Sequence, residues 1–86
     1  MPTICSIRGI QIFINWREHL PPHFHAKYND KEALIDINNS CVLKGALPSN
    51  KLKLVLAWSE LHKDELNANW EKAKNLEQPL QISPLK

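Results

Sequence analysis

Apolar and polar residues alternate with two different periods along this chain: two in the first half, three to four in the second. Ile10, Ile12, Ile14 and Trp16 alternate with Gln11, Phe13 and Asn15. Such alternation, rich in β-branched residues, predicts a strand with the isoleucines and Trp16 on the core face. Phe13 then falls on the opposite face, exposed. "TICSIR" before it reads as a second strand, joined through a tight connection at Gly9, where glycine tolerates positive φ. Pro21-Pro22 breaks the pattern, because proline has no N–H and holds its predecessor extended. Residues 17–22 are therefore expected to form a stiff, irregular connection, with a strand starting near His23.

"HFHAKY" and "EALIDI" flank a short turn over Asn29-Asp30. An even-length loop pairs His23 with Asp36, Phe24 with Ile35, His25 with Leu34, Ala26 with Ala33 and Lys27 with Glu32. Apolar then meets apolar and a lysine meets a glutamate, whereas an odd loop would mix the faces. "NNS" makes the next turn and "CVLKG" a short strand closing at Gly45. Cys41 shares a face with His23 if that turn is also even.

The second half changes period. Leu54, Trp58, Leu61, His62, Leu66, Trp70 and Ala73 follow three- and four-residue steps, one continuous helical face. Ser49 or Asn50 is the expected N-cap, and Pro79 lies beyond the expected end near Asn75. A helix over 50–75 would be about 39 Å long, more than the short strands before it can cover. It must break near Asn67–Asn69, or pack its last turns on something else, such as a partner subunit.

The expected fold class is α+β. An antiparallel sheet of four to five strands (2–46) precedes one long C-terminal amphipathic helix (about 49–75) packed on one face. A tail (76–86) holds "LQISP" as a short final strand at a sheet edge. With 86 residues, this is a single domain over 1–86.

Composition narrows the function classes. At 43% hydrophobic and 23% charged residues the chain reads as an ordinary globular domain. No apolar run reaches the roughly 18 residues of a membrane span. "MPTICSIRG" has no signal-peptide pattern, so the cytoplasm is the expected compartment. Net charge is +2, and the excess sits in residues 1–53, without a basic stripe that would by itself argue for nucleic acid. Cys5 and Cys41 make no metal-finger spacing and are expected as free thiols packed like small hydrophobes.

The candidate chemistry lies in "EHLPPHFHAKY", residues 18–28, which holds three of the four histidines. His23 and His25, two apart on a strand, put both imidazoles on one face, with Cα atoms about 7 Å apart. Three readings follow. In the first, His19, His23 and His25 bind a divalent metal such as zinc. In the second, His23 and His25, joined by His62 from the helix, act as a catalytic acid/base set. Asp36 orients an imidazole, and Arg17, Lys27 and Lys44 contact phosphate, as a metal-independent ribonuclease or RNA-binding protein requires. In the third, the histidines are half-buried polar groups lining the surface of a protein-interaction module. Trp58 and Trp70 anchor its core or interface, and the partner is a cognate small protein or a second copy. The third is weighted first, and the residues leave catalysis open.

Five segments together carry a family resemblance: "PTI", "HLPPHFHAKY", "ALIDI", "KGALP" and "LVLAWSELHKDELNANW". They resemble a family of small prokaryotic proteins known as domain of unknown function 4160, over nearly the whole chain from Pro2 to about Leu85. The resemblance implies a short single domain and, for some members, a place in a toxin–antitoxin-type pair. It brings no assigned activity. The family pattern has an acid before the first histidine, here Glu18, and one near the helix tryptophan. At the second place Leu56-Ala57-Trp58 departs, and Glu60 is the nearest acid.

Overall fold

The computed structural model describes residues 3–16 and 19–84. Five strands come first: β1 (Thr3–Ile7), β2 (Ile10–Phe13), β3 (His23–Tyr28), β4 (Lys31–Asp36) and β5 (Cys41–Gly45). They form one antiparallel sheet in chain order, β1-β2-β3-β4-β5. Two helices follow, α1 (Ser49–Leu61) and α2 (Lys63–Lys74). No helix among the described residues is long and apolar enough to cross a membrane.

Turn chemistry sets the registers. Arg8 (φ 46°) and Gly9 (φ 84°) make a two-residue link between β1 and β2, and Asn29 (φ 54°) opens the link between β3 and β4. With both central residues at positive φ, the first link matches the right-handed twist of the strands it joins. The β3–β4 register is the one expected from the even loop, His23 opposite Asp36 through Lys27 opposite Glu32. The next turn is even too, so Cys41 pairs with Asp36. Gly45 (φ 83°) closes β5 where a Cβ would come within 2.2 Å of the Glu32 carbonyl oxygen. Only glycine permits that approach.

The core lies on one face of the sheet, beneath the helices. Ile10, Ile12, Phe24, Ala26, Ala33 and Ile35 from the strands meet Val55, Trp58 and Leu66 from the helices, all buried. Burying a side chain the size of leucine or isoleucine contributes on the order of 2 kcal/mol. Trp58 sits edge-on to Phe24, ring centroids 5.9 Å apart. Trp58 and Trp70 are thus core anchors, 2% and 4% exposed.

The long helix is the main correction. The helical run breaks at His62 (φ −115°, ψ 25°), not at Asn67–Asn69. A straight rod of 39 Å would exceed the largest extent of the molecule, 33 Å. Backbone bonds still cross the break, from His62 N–H to the Trp58 carbonyl and from Leu66 N–H to the His62 carbonyl. Glu65 is in the first turn of α2 and meets the His62 ring at its start. Leu61, expected on the core face, is 70% exposed. Pro48, not Ser49 or Asn50, precedes the first helical residue, and no side chain caps α1.

Smaller differences have local causes. Trp16 is half exposed, because β2 ends at Phe13 and the alternation stops with it. Phe13 is buried, 5% exposed. Of the two free cysteines, Cys5 packs as expected and Cys41 is exposed. Among the described residues the tail forms no strand, yet Ile82 N–H donates to the Ile4 carbonyl beside β1. Gln81 Nε2 donates to the Thr3 carbonyl, and Trp58 Nε1 to the Ser83 carbonyl. Asn69 clasps Leu80, accepting from its N–H and donating to its carbonyl. The tail therefore covers the β1 edge, a common protection of an open strand.

Candidate functional site

Strand β3 places His23 and His25 on the same side by alternation, and their neighbours differ. His23 opens the strand immediately after the two prolines. Its Nδ1 lies 2.8 Å from the Pro21 carbonyl oxygen. A carbonyl can only accept, so Nδ1 carries the proton in the neutral ring and Nε2 does not. The indole of Trp70, from α2, packs on this ring at 5.1 Å between centroids.

His25 sits one pleat further along, in the middle of the sheet. Its Nδ1 donates to Glu32 Oε2 at 2.9 Å, and its Nε2 faces Asn15 Nδ2 at 3.3 Å. The ring lies flat on Phe13, centroids 4.8 Å apart and planes 4° from parallel. His23 meets it edge-on at 5.6 Å. Four rings thus run in sequence from β2 to α2: Phe13, His25, His23, Trp70. Stacking at these separations is favourable, and it explains the burial of two imidazoles at a sheet surface. His23 and His25 are 5% and 7% exposed.

Register builds the rest of this face. Phe13, His25, Leu34 and Lys44 form one cross-strand row, and Gln11, Lys27 and Glu32 the next. Two cavities open on it. One, of about 300 Å³, is lined by Thr3, Gln11, Phe13, Asn15, Lys27 and Glu32. The other, of about 400 Å³, is lined by His25, Glu32, Leu34, Lys44 and Gly45. Glu32 belongs to both, and no helix residue lines either.

Asp36 lies opposite His23, as the register required, but its oxygens serve the turn. Oδ1 accepts from the N–H groups of Asn38 and Asn39, and Oδ2 from Asn39 Nδ2. Burial pushes the Asp36 carboxyl up. The bonds from Asn39 and Asn38, with the charge of His23, outweigh that and hold it below the ordinary carboxylate range. The group orienting His23 is the Pro21 carbonyl, a backbone atom that residue type does not reveal.

The other candidates separate. His19 is exposed in the connection. Among the described residues no three His, Cys, Asp or Glu side chains are placed to hold a metal ion, so His19 does not complete a set with His23 and His25. His62 is buried at the helix junction. Its Nδ1 bonds Glu65, its ring packs on Trp58 at 5.4 Å, and its Nε2 has no hydrogen-bond partner among the described residues. These interactions run along the helix, not toward β3. Lys27 and Lys44 share the face of His25, in neighbouring rows with Glu32 between the cavities. Arg17 and Glu18 lie outside the described residues. Glu60 accepts from Ser40 Oγ at 2.8 Å. That bond first, and Lys63 second, hold its carboxyl below the ordinary range. It ties α1 to the β4–β5 turn. Sequence reasoning missed Asn15 and Glu32 as site residues, because only the fold brings Asn15 to His25.

No curated protein and no solved structure matches the chain. The profile of the family described as Domain of unknown function (DUF4160) matches residues 9–71, from the first turn through most of α2 and across the whole four-ring row. The chain belongs to that family.

Proposed function

We propose that the chain is a protein-interaction module whose binding surface is the sheet face around His25. In this reading it is one member of a two-protein pair, of the toxin–antitoxin type that the family resemblance implies. One observation carries the reading: His25 is held at both ring nitrogens and stacked on Phe13, between two cavities that no helix residue lines. Locking side chains in advance removes part of the ordering cost of association, which suits recognition. It suits proton transfer less well, since His25 Nδ1 is committed to Glu32 and His23 Nδ1 to the Pro21 carbonyl. The mixed charges of Lys27, Glu32 and Lys44 suit a polypeptide surface better than a phosphate backbone, which calls for an excess of positive charge.

Affinity purification of the tagged chain from its own host tests this. A stoichiometric small protein should accompany the wild type and an Ala57→Lys variant, altered on the exposed side of α1. It should be lost from Leu34→Glu and Lys44→Glu. A partner kept by both face variants, or absent throughout, overturns the reading.

A further inference from the structure

The strand register offers Lys27 a partner that it does not keep. Lys27 and Glu32 stand opposite each other on β3 and β4, but the Glu32 carboxylate turns to His25 Nδ1, 2.9 Å away. Among the described residues neither Lys27 nor Lys44 forms an ion pair, whereas on α2 Lys63, Lys72 and Lys74 each pair with a glutamate. Both sheet lysines are exposed. Each opens on its own cavity, and Glu32 lies in the wall of both. At the end of the sheet where the β1–β2 and β3–β4 links lie, Arg8, Lys31 and Lys51 outnumber Asp30. The surroundings therefore add to the positive potential of the two lysines.

Spacing sets the pattern that fits. Lys27 and Lys44 share one face, two strands and two residues apart, so their Cα atoms lie about 12 Å from each other. Glu32 and the half-buried Leu34 lie between them, on β4. A nucleic-acid strand carries a phosphate at every nucleotide and would bring negative charge over Glu32 as well as over the lysines. A polypeptide can place a carboxylate at each lysine and an uncharged residue over Glu32. We infer that the partner docks an acidic segment here: one Asp or Glu side chain on Lys27, another on Lys44, and an apolar side chain between them on Leu34. Residues seven apart on an α-helix share a face and lie about 10.5 Å from each other, a span that flexible lysine side chains match. The inference rests on the reading of this face as an interaction surface and names the chemistry the partner brings to it.

The probe is a capped, alanine-rich helical peptide with two glutamates seven apart and a leucine between them. It is titrated at low salt into isotope-labelled full-length protein and followed by NMR. Saturable shifts should appear at Lys27, Leu34 and Lys44, and not at Lys63, Lys72 or Lys74. The same peptide with glutamine at both positions should bind about fivefold more weakly, the size of effect that exposed ion pairs produce. Raising the salt should weaken the glutamate peptide and leave the glutamine peptide unchanged. The double variant Lys27→Met/Lys44→Met, altered only at exposed positions, should lose the preference for glutamate, while Lys74→Met keeps it. An isomer with adjacent glutamates reaches one lysine at a time and should bind more weakly than the first; equal binding by it overturns the two-point assignment. Equal binding of the glutamate and glutamine peptides, binding of neither, or shifts confined to the α2 lysines overturn the inference. A deoxythymidine oligonucleotide bound more tightly than the glutamate peptide through Lys27 and Lys44 assigns the surface to nucleic acid and overturns it as well. If the glutamate peptide fails while Leu34→Glu still loses a partner, this inference falls and the interaction reading stands. Glutamate-selective binding with no partner captured gives the reverse.

Discussion

The imidazole of His25 lies parallel on the ring of Phe13, 4° from coplanar at 4.8 Å, and this stack joins β2 to β3 on the face opposite Phe24. Phe13→Ala removes a buried ring and leaves His25 unsupported. It should lower stability by about 3–5 kcal/mol, read from urea unfolding. Phe13→Leu keeps most of the apolar volume and should cost less than about 1.5 kcal/mol, yet it loses the flat surface that orients His25. Weakened partner binding in a stable Phe13→Leu protein is the expected result. Unchanged binding would show that the stack serves the fold alone.

Asp36 makes stability depend on acid. Its carboxyl is held below the ordinary range in the folded chain, so the unfolded chain takes up the proton first as pH falls. The stabilisation is fully present above about pH 4, the ordinary aspartate value, and is lost as pH drops toward the folded value. Asp36→Asn should be less stable than wild type at pH 7 by about 1–3 kcal/mol. The gap should close below about pH 4, measured by denaturant unfolding across pH. A constant gap would contradict the assignment.

The two thiols should react differently. Cys5 is buried, and burial first, only partly offset by a backbone hydrogen bond at Ser6, pushes its thiol up from its ordinary value. Cys41 is exposed at the start of β5. The thiolate is the reactive form. A thiol reagent in excess should modify one cysteine rapidly in the native protein and both in denaturant, with peptide mass spectrometry assigning the fast site to Cys41.

The tail depends on one asparagine. Asn69 exchanges two hydrogen bonds with the backbone of Leu80. Asn69→Ala should cost about 1–3 kcal/mol, because both Leu80 groups lose their partners. Amide exchange at Leu80 and Ile82 should accelerate well before that of β3. Uniform exchange throughout would mean that the tail and the sheet open together.

Several features of the fold could be read from order along the chain alone. The alternation from Ile10 to Ile14 marks a strand face, and the pairing of Lys27 with Glu32 and Phe24 with Ile35 marks a hairpin register. Both follow from local periodicity, which a strand reports through its neighbours two residues away. The helix surface was also legible where Trp58, Leu66, Trp70 and Ala73 recur. Leu61 and the break at His62 were not. The helix is limited by the breadth of the sheet beneath it, and that length belongs to the assembled domain.

His23 and His25 shared a strand face by sequence alone. What each nitrogen meets was decided by the tertiary structure: a proline carbonyl for His23, Glu32 and Asn15 for His25. Hydrogen-bond partners are set by distances between segments far apart in sequence. Residue type and local spacing fix which groups can donate or accept, and only the folded sheet brings Asn15 from beyond β2 against β3.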